Sequence, residues 1–201
     1  MEQFLVKFDN TLLKLEKESC WKTASDVIFQ QWKDTPANLN CLLCAGMQLW
    51  YTLLEMDYIR NAPMLADNIE WISEQQLQNN LMEVTRYGFK YFGDNAIFNA
   101  YFGYMISVMP YFFIDYKGDY DGWKAKGIEM MRRSHSLSPN NPFTRAMLFE
   151  SDGCGKDTPF YHACKEIWQE ITPEQWGNSA VQQYFFHILN GDLFYPDAYS
   201  E

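Results

Sequence analysis

Apolar residues recur at spacings of three and four along most of the chain. Phe4, Leu5, Phe8, Leu12 and Leu15 share such a register, which predicts an amphipathic helix over residues 2–18. Trp21, Ala24, Ile28 and Trp32 place a second apolar stripe on residues 20–32. Thr35-Pro36 reads as the cap and first position of a long helix reaching Ile59, which Asn61-Ala62-Pro63 breaks. Ser73 followed by Gln76 three residues on is a capping-box pattern, opening a helix that ends near Gly93. Another helix is expected from Asn95 to Met109, stopped by Pro110, and Gly118 and Gly122 mark a turn. Helices are then expected over 120–137, 141–150, 159–171 and 178–189, with an irregular tail from Gly191 to Glu201. Period-two alternation bounded by hairpin turns is absent. The pattern predicts a single all-α domain over residues 1–201, with about eight or nine helices.

Three helix-to-helix junctions share a pattern. After Pro36-Ala37-Asn38 come Leu42, Ala45 and Gly46; at the same offsets Gly93-Asp94-Asn95 is followed by Asn99, Phe102 and Gly103, and Pro139-Asn140-Asn141 by Arg145, Leu148 and Phe149. Gly88 and Tyr91 precede the second junction as Ser134 and Leu137 precede the third, and Gly118-Asp119-Tyr120-Asp121 adds a helix start. Over about residues 20–150 the chain thus resembles the tetratricopeptide repeat, where a small residue sits where paired helices touch. The junctions lie further apart than that family's period of about 34 residues. The resemblance therefore implies an irregular stack of long helical hairpins, an α-solenoid of that kind, followed by acidic C-terminal helices over 151–201. It also implies a groove lined by Asn40, Met47, Trp50 and Tyr51, by Ile97, Ala100, Tyr104 and Ser107, and by Phe143, Ala146 and Glu150. Most of these are apolar, so neighbouring helices are expected to fill the groove, with Trp50 and Tyr104 buried.

Composition supports a packed core: of 201 residues, 47% are apolar and 21% charged, and aromatics reach 17%. Sixteen basic residues face 26 acidic ones, a net charge of −10. That balance argues against nucleic acid as a partner, since phosphates demand a basic footprint, and favours a basic protein. The longest apolar stretch, Ala96 to Ile114, is interrupted by Asn99, Ser107 and Pro110 and reads as a buried helix rather than a membrane span. Met1 to Asn10 contains no apolar signal-peptide core, and the five cysteines are an odd number, so free thiols and a cytoplasmic location are expected.

Candidate chemistry is sparse. Cys41-Leu42-Leu43-Cys44 spells C-x-x-C, but it lies on an apolar helix face with no second pair, so core packing is expected rather than zinc or redox work. The carboxylates between Asp115 and Gly122 lack a glutamate at the twelfth loop position and do not make a calcium loop. His135, His162 and His187 fall in separate helices; Asp157, His162 and Cys164 are close in sequence but point in different directions on a helix. Gly153 to Thr158 lacks the spacing of a phosphate loop. No enzyme activity, metal or cofactor is expected.

Charge is segregated. From Ala146 to Glu201 nine acids face two bases, seven of the ten net negative charges, whereas Asp121 to Arg145 is net +3. Acids interleave with aromatics, the mix that gives steered association with anchored hot spots. The expected contact residues are Glu150, Asp152, Asp157, Glu166, Trp168, Glu170, Glu174 and Trp176. By type, though not by motif, such a chain is similar to bacterial immunity proteins of toxin–immunity pairs, including those of contact-dependent growth inhibition. That similarity implies an inhibitor that caps a basic toxin, often a nuclease, in the cytoplasm. An adaptor or chaperone holding a peptide in the groove is the alternative.

Overall fold

The computed structural model describes residues 4–61, 72–114, 119–150 and 157–194, with the side chains at 60–61, 173–174 and 191–194 outside the description. Its elements are α1 (Asn10–Lys17), α2 (Trp21–Asp34), α3 (Leu39–Leu54), α4 (Met56–Asn61), α5 (Glu74–Phe92), α6 (Ala96–Val108), a 3₁₀ turn (Pro110–Phe113), α7 (Tyr120–Leu137), α8 (Pro142–Phe149), α9 (Pro159–Glu170), α10 (Pro173–Trp176) and α11 (Ala180–Phe194). Among the described residues there is no strand. The fold is an all-α stack.

Short polar side chains start most of these helices by accepting orphan first-turn N–H groups. Asp9 accepts from Leu12, Asn38 from Asn40 and Cys41, Ser73 from Gln76, Asn95 from Ile97 and Phe98, Asp119 from Gly122, and Asn141 from Phe143. Thr158 accepts from Tyr161, and Thr172 with Gln175 completes a capping box. Asn38, not Thr35, is therefore the cap of α3; Thr35 instead ends α2. The long helix expected to Ile59 is broken at Glu55 into α3 and α4. At the other end of the chain α11 continues to Phe194, beyond the expected stop at Leu189.

The largest departure is at the N-terminus. The helix expected over 2–18 occupies only Asn10–Lys17, and residues 5–9 form an irregular strap. Phe4 and Val6 turn inward while Lys7 is exposed. The strap's backbone is satisfied by side chains from distant helices instead of its own turns. The Tyr101 hydroxyl donates to the Phe4 carbonyl at 2.9 Å, Gln182 donates to the Val6 carbonyl at 2.7 Å, and Asn40 exchanges two 2.9 Å bonds with Lys7.

The stack runs α2 on α3, α3 on α5, α6 on α7, α7 on α8 and α8 on α9. Its tightest crossing is α6 on α7, where Gly103 and Gly127 meet. A Cβ at Gly127 would stand 2.7 Å from the Gly103 carbonyl oxygen and 2.6 Å from the Ser107 nitrogen. Only glycine lets the two backbones approach this closely. The core is rich in fully buried aromatics, among them Trp50, Tyr101, Phe98, Phe102, Phe143 and Phe185.

Candidate functional site

The concave face expected to form a groove is filled by the chain itself. Trp50 is fully buried and Tyr104 is 3% exposed. Two segments lie over this face: α11 over Trp50 and Tyr104, and the strap over Tyr101 and Phe143. Phe4 stacks flat on Phe143 with centroids 4.8 Å apart. Phe185 packs on Tyr101 at 5.1 Å and on Tyr104 at 5.3 Å, while Tyr184 meets Trp50 at 5.3 Å. Gln182 ties the two segments together, because its amide bonds both the Val6 and the Trp176 carbonyls. The space left between strap, α3, α6 and α11 is about 10 Å³. Met47, Ile97, Ala100, Phe143 and Ala146 are buried with Trp50 and Tyr104.

The N-terminus of α11 is held by a buried carboxylate. Glu16 Oε2 accepts from the Ala180 N–H at 2.8 Å, which places a negative charge at the positive end of the helix. Burial raises the Glu16 pKa above its ordinary value, against the opposing pull of the Ala180 bond and the Gln48 amide.

At one end the filled groove stays accessible. Tyr51 from α3, Glu55 capping its C-terminus, Glu150 following α8 and Tyr184 from α11 are all half-buried. The Tyr184 hydroxyl is 3.2 Å from that of Tyr104, and its ring is 6.1 Å from Tyr51. Burial pushes Tyr51 up to about 12, with Glu55 and Glu16 adding to the shift. Tyr184 is raised by burial, with the Glu150 and Glu55 charges contributing in the same direction against the lowering effect of the Tyr104 bond. Burial also raises the Glu150 carboxyl. No cation pairs with Glu55 or Glu150 among the described residues. This is a rim of phenol faces and unpaired carboxylates.

The other expected contact residues scatter. Asp157 and Glu170 are exposed. Glu166 is ion-paired with Arg145, so part of its charge is neutralised within the chain. Trp168 is half-buried; its indole N–H donates to the Leu189 carbonyl at 2.9 Å and its ring packs on Phe186. Trp176 is 3% exposed and donates to the Gln182 carbonyl at 2.7 Å. Its expected place on a contact surface is therefore corrected: it is a core residue linking α10 to α11. Asp152 lies outside the described residues, as does the side chain of Glu174. Glu55 was not among the expected residues. Its position four after Tyr51 on one helix face was the available signal.

The remaining motifs resolve as packing. Cys44 is buried, its thiol donates to the Lys7 carbonyl, and burial holds it in the neutral form. His162 is exposed whereas Cys164 is buried, so Asp157, His162 and Cys164 do not form a site. Among the described residues no three His, Cys, Asp or Glu side chains gather as a metal-ligand set, and no helix is long and apolar enough to cross a membrane. No protein-family model, curated protein or solved structure matches the chain.

Proposed function

We propose that the protein is a non-catalytic binder of a basic protein, and that a lysine or arginine of the partner enters the rim formed by Tyr51, Glu55, Glu150 and Tyr184. The observation that carries this reading is the pair of half-buried carboxylates, Glu55 and Glu150, that gather with the Tyr51 and Tyr184 phenols and have no ion-pair partner among the described residues. A cation there would neutralise two like charges held in a partly dry setting. It would also lie against phenol faces, an interaction worth about 0.5–2 kcal/mol. The wider acid excess, including the exposed Asp157 and Glu170, steers encounter with a basic surface. An inhibitor that caps a basic toxin, as bacterial immunity proteins do in the cytoplasm, is the function this chemistry suits. The hairpin stack is read with it as a tetratricopeptide-like scaffold. The adaptor alternative draws no support from a groove whose Trp50 and Tyr104 are covered by α11.

The test is binding kinetics against the partner that co-purifies from the native host, at low and high salt. Asp157→Lys with Glu170→Lys should slow association and flatten its salt dependence. Glu55→Gln with Glu150→Gln should speed dissociation about tenfold, as loss of a buried charge contact does. Glu166 is left alone, because a lysine there would face Arg145. Rates indifferent to salt and to both pairs of substitutions would overturn the proposal.

A further inference from the structure

The charge excess of the chain reverses at one place. The C-terminal end of α5, the start of α6 and the middle of α7 enclose a surface cavity of about 550 Å³. Its lining includes Lys90, Lys126 and Arg133 as cations, Asp94 and Glu129 as carboxylates, and Tyr91, Phe89 and Met130 as apolar wall. In a chain of net charge −10, this cavity is net positive.

Both carboxylates are already engaged. Asp94 pairs with Arg133, whose Nε also donates to the Gly93 carbonyl at 2.9 Å. Glu129 pairs with Lys126 at 2.9 Å. Lys90 has no carboxylate partner among the described residues and rests over the Tyr91 ring, 4.9 Å from its centroid. Helix dipoles account for part of this pattern, since Lys90 lies in the last turn of α5 and Arg133 binds a carbonyl at its end. They do not account for Lys126, which sits in the middle of α7. Tyr91 is 56% exposed, an aromatic held at the mouth of the cavity beside the unpaired cation. The cavity is of the size that takes a few side chains or a small ligand.

We infer that this cavity binds a short acidic segment of a partner protein, one that presents a carboxylate beside a large apolar side chain. The carboxylate goes to Lys90, with Lys126 turning to it from Glu129, and the apolar side chain lies on Tyr91 and Phe89. Asp94 and Glu129 accept from the segment's backbone N–H groups. The site is separate from the acidic rim, and neither proposal depends on the other.

The test is fluorescence anisotropy with a labelled synthetic peptide of sequence EELFEE, at low and high salt. The parent protein should bind it, more weakly at high salt. Lys90→Glu or Lys126→Glu should weaken binding about tenfold or more, as reversal of a contacting charge does. Tyr91→Ala, at an exposed position, should weaken it several-fold at either salt while leaving the melting temperature unchanged. Lys14→Glu, on α1 and away from the cavity, should leave binding unchanged. Three results overturn the inference: no binding by the parent, equal loss in the Lys14 variant, or tighter binding of a thymidine oligonucleotide of matched charge through the same lysines.

Discussion

Replacing Gly127 with alanine measures how closely α6 and α7 approach. The added methyl would stand 2.6 Å from the Ser107 nitrogen and 2.7 Å from the Gly103 oxygen. Both are backbone atoms, so no rotamer change relieves the contact. An ordinary carbon–oxygen contact needs about 3.3 Å, so α7 must shift by roughly 0.6 Å or bend. Alanine returns about 1 kcal/mol through its better helix propensity. Overpacking at a closed crossing costs about 1–3 kcal/mol, with backbone clashes at the upper end. The expected balance is a loss of about 1–2 kcal/mol, a drop in melting temperature of roughly 2–8 °C for a chain of this size. Gly103→Ala is the matched comparison. There the nearest atoms are the Gly127 carbonyl oxygen and the flexible Met131 side chain, both at 2.9 Å, so the contact is less severe and the loss should be smaller. Thermal unfolding followed by far-UV circular dichroism reads both. A Gly127→Ala protein that melts at or above the parent temperature would refute the close crossing.

The other expectations concern the segments that fill the groove. Phe4→Ala should destabilise by about 3–5 kcal/mol in chemical denaturation, the loss of a fully buried ring. A change below about 1 kcal/mol would mean the strap is not part of the core. Trp176→Ala should cost a similar amount and Trp168→Ala less, because only the first ring is buried. Equal effects would contradict the burial difference. Glu16→Gln bears on pH. A carboxyl whose folded pKa is raised contributes stability that is fully present below its ordinary value of 4.5 and is lost as pH rises through the folded value. The glutamine keeps an acceptor for Ala180 without the buried charge. Its melting temperature should therefore fall less than the parent's between mildly acidic and neutral pH, and identical slopes would remove Glu16 as a source.

The helix starts were legible because capping is local. Ser73 with Gln76, Asn95, Asp119 and Asn141 each act within three residues, so the spacing that announces them is the spacing that works. The strap was not legible for the opposite reason. Phe4, Leu5 and Phe8 fit a helical register, but the groups that satisfy the strap's backbone come from Asn40, Tyr101 and Gln182, far along the chain. That supply of tertiary acceptors and donors overrides local periodicity. The filling of the groove was readable from its apolar lining, yet nothing in the spacing of Tyr184 and Phe185 said that α11 would be the element to fill it. Trp168 and Trp176 show the same limit at the candidate site. A ring among acids looks alike in sequence whether it faces solvent or core. The third dimension separates them through the carbonyls that take their N–H groups, Leu189 and Gln182.

The placement of acidic groups around α11 gives the proposed function a second, equilibrium consequence. Glu16 holds the helix at Ala180, and the Glu55 and Glu150 charges act on Tyr184 one turn further on. Tyr184 in turn shares a hydroxyl contact with the buried Tyr104. The helix that closes the groove is thus set among carboxylates, and burial disfavours the charged form of two of them, Glu16 and Glu150. A cation bound at the rim compensates that buried charge, and any ligand that binds only the folded protein raises its stability by mass action, about 2.7 kcal/mol at a hundredfold excess over its dissociation constant. A lysine-rich peptide should therefore raise the melting temperature at low salt, and the rise should shrink at high salt and in Glu55→Gln with Glu150→Gln. Non-specific attraction to the net negative chain would also be salt-sensitive, but it would survive those two neutral substitutions almost unchanged. A shift that persists in the double variant would assign the effect to overall charge and take the rim out of the binding surface.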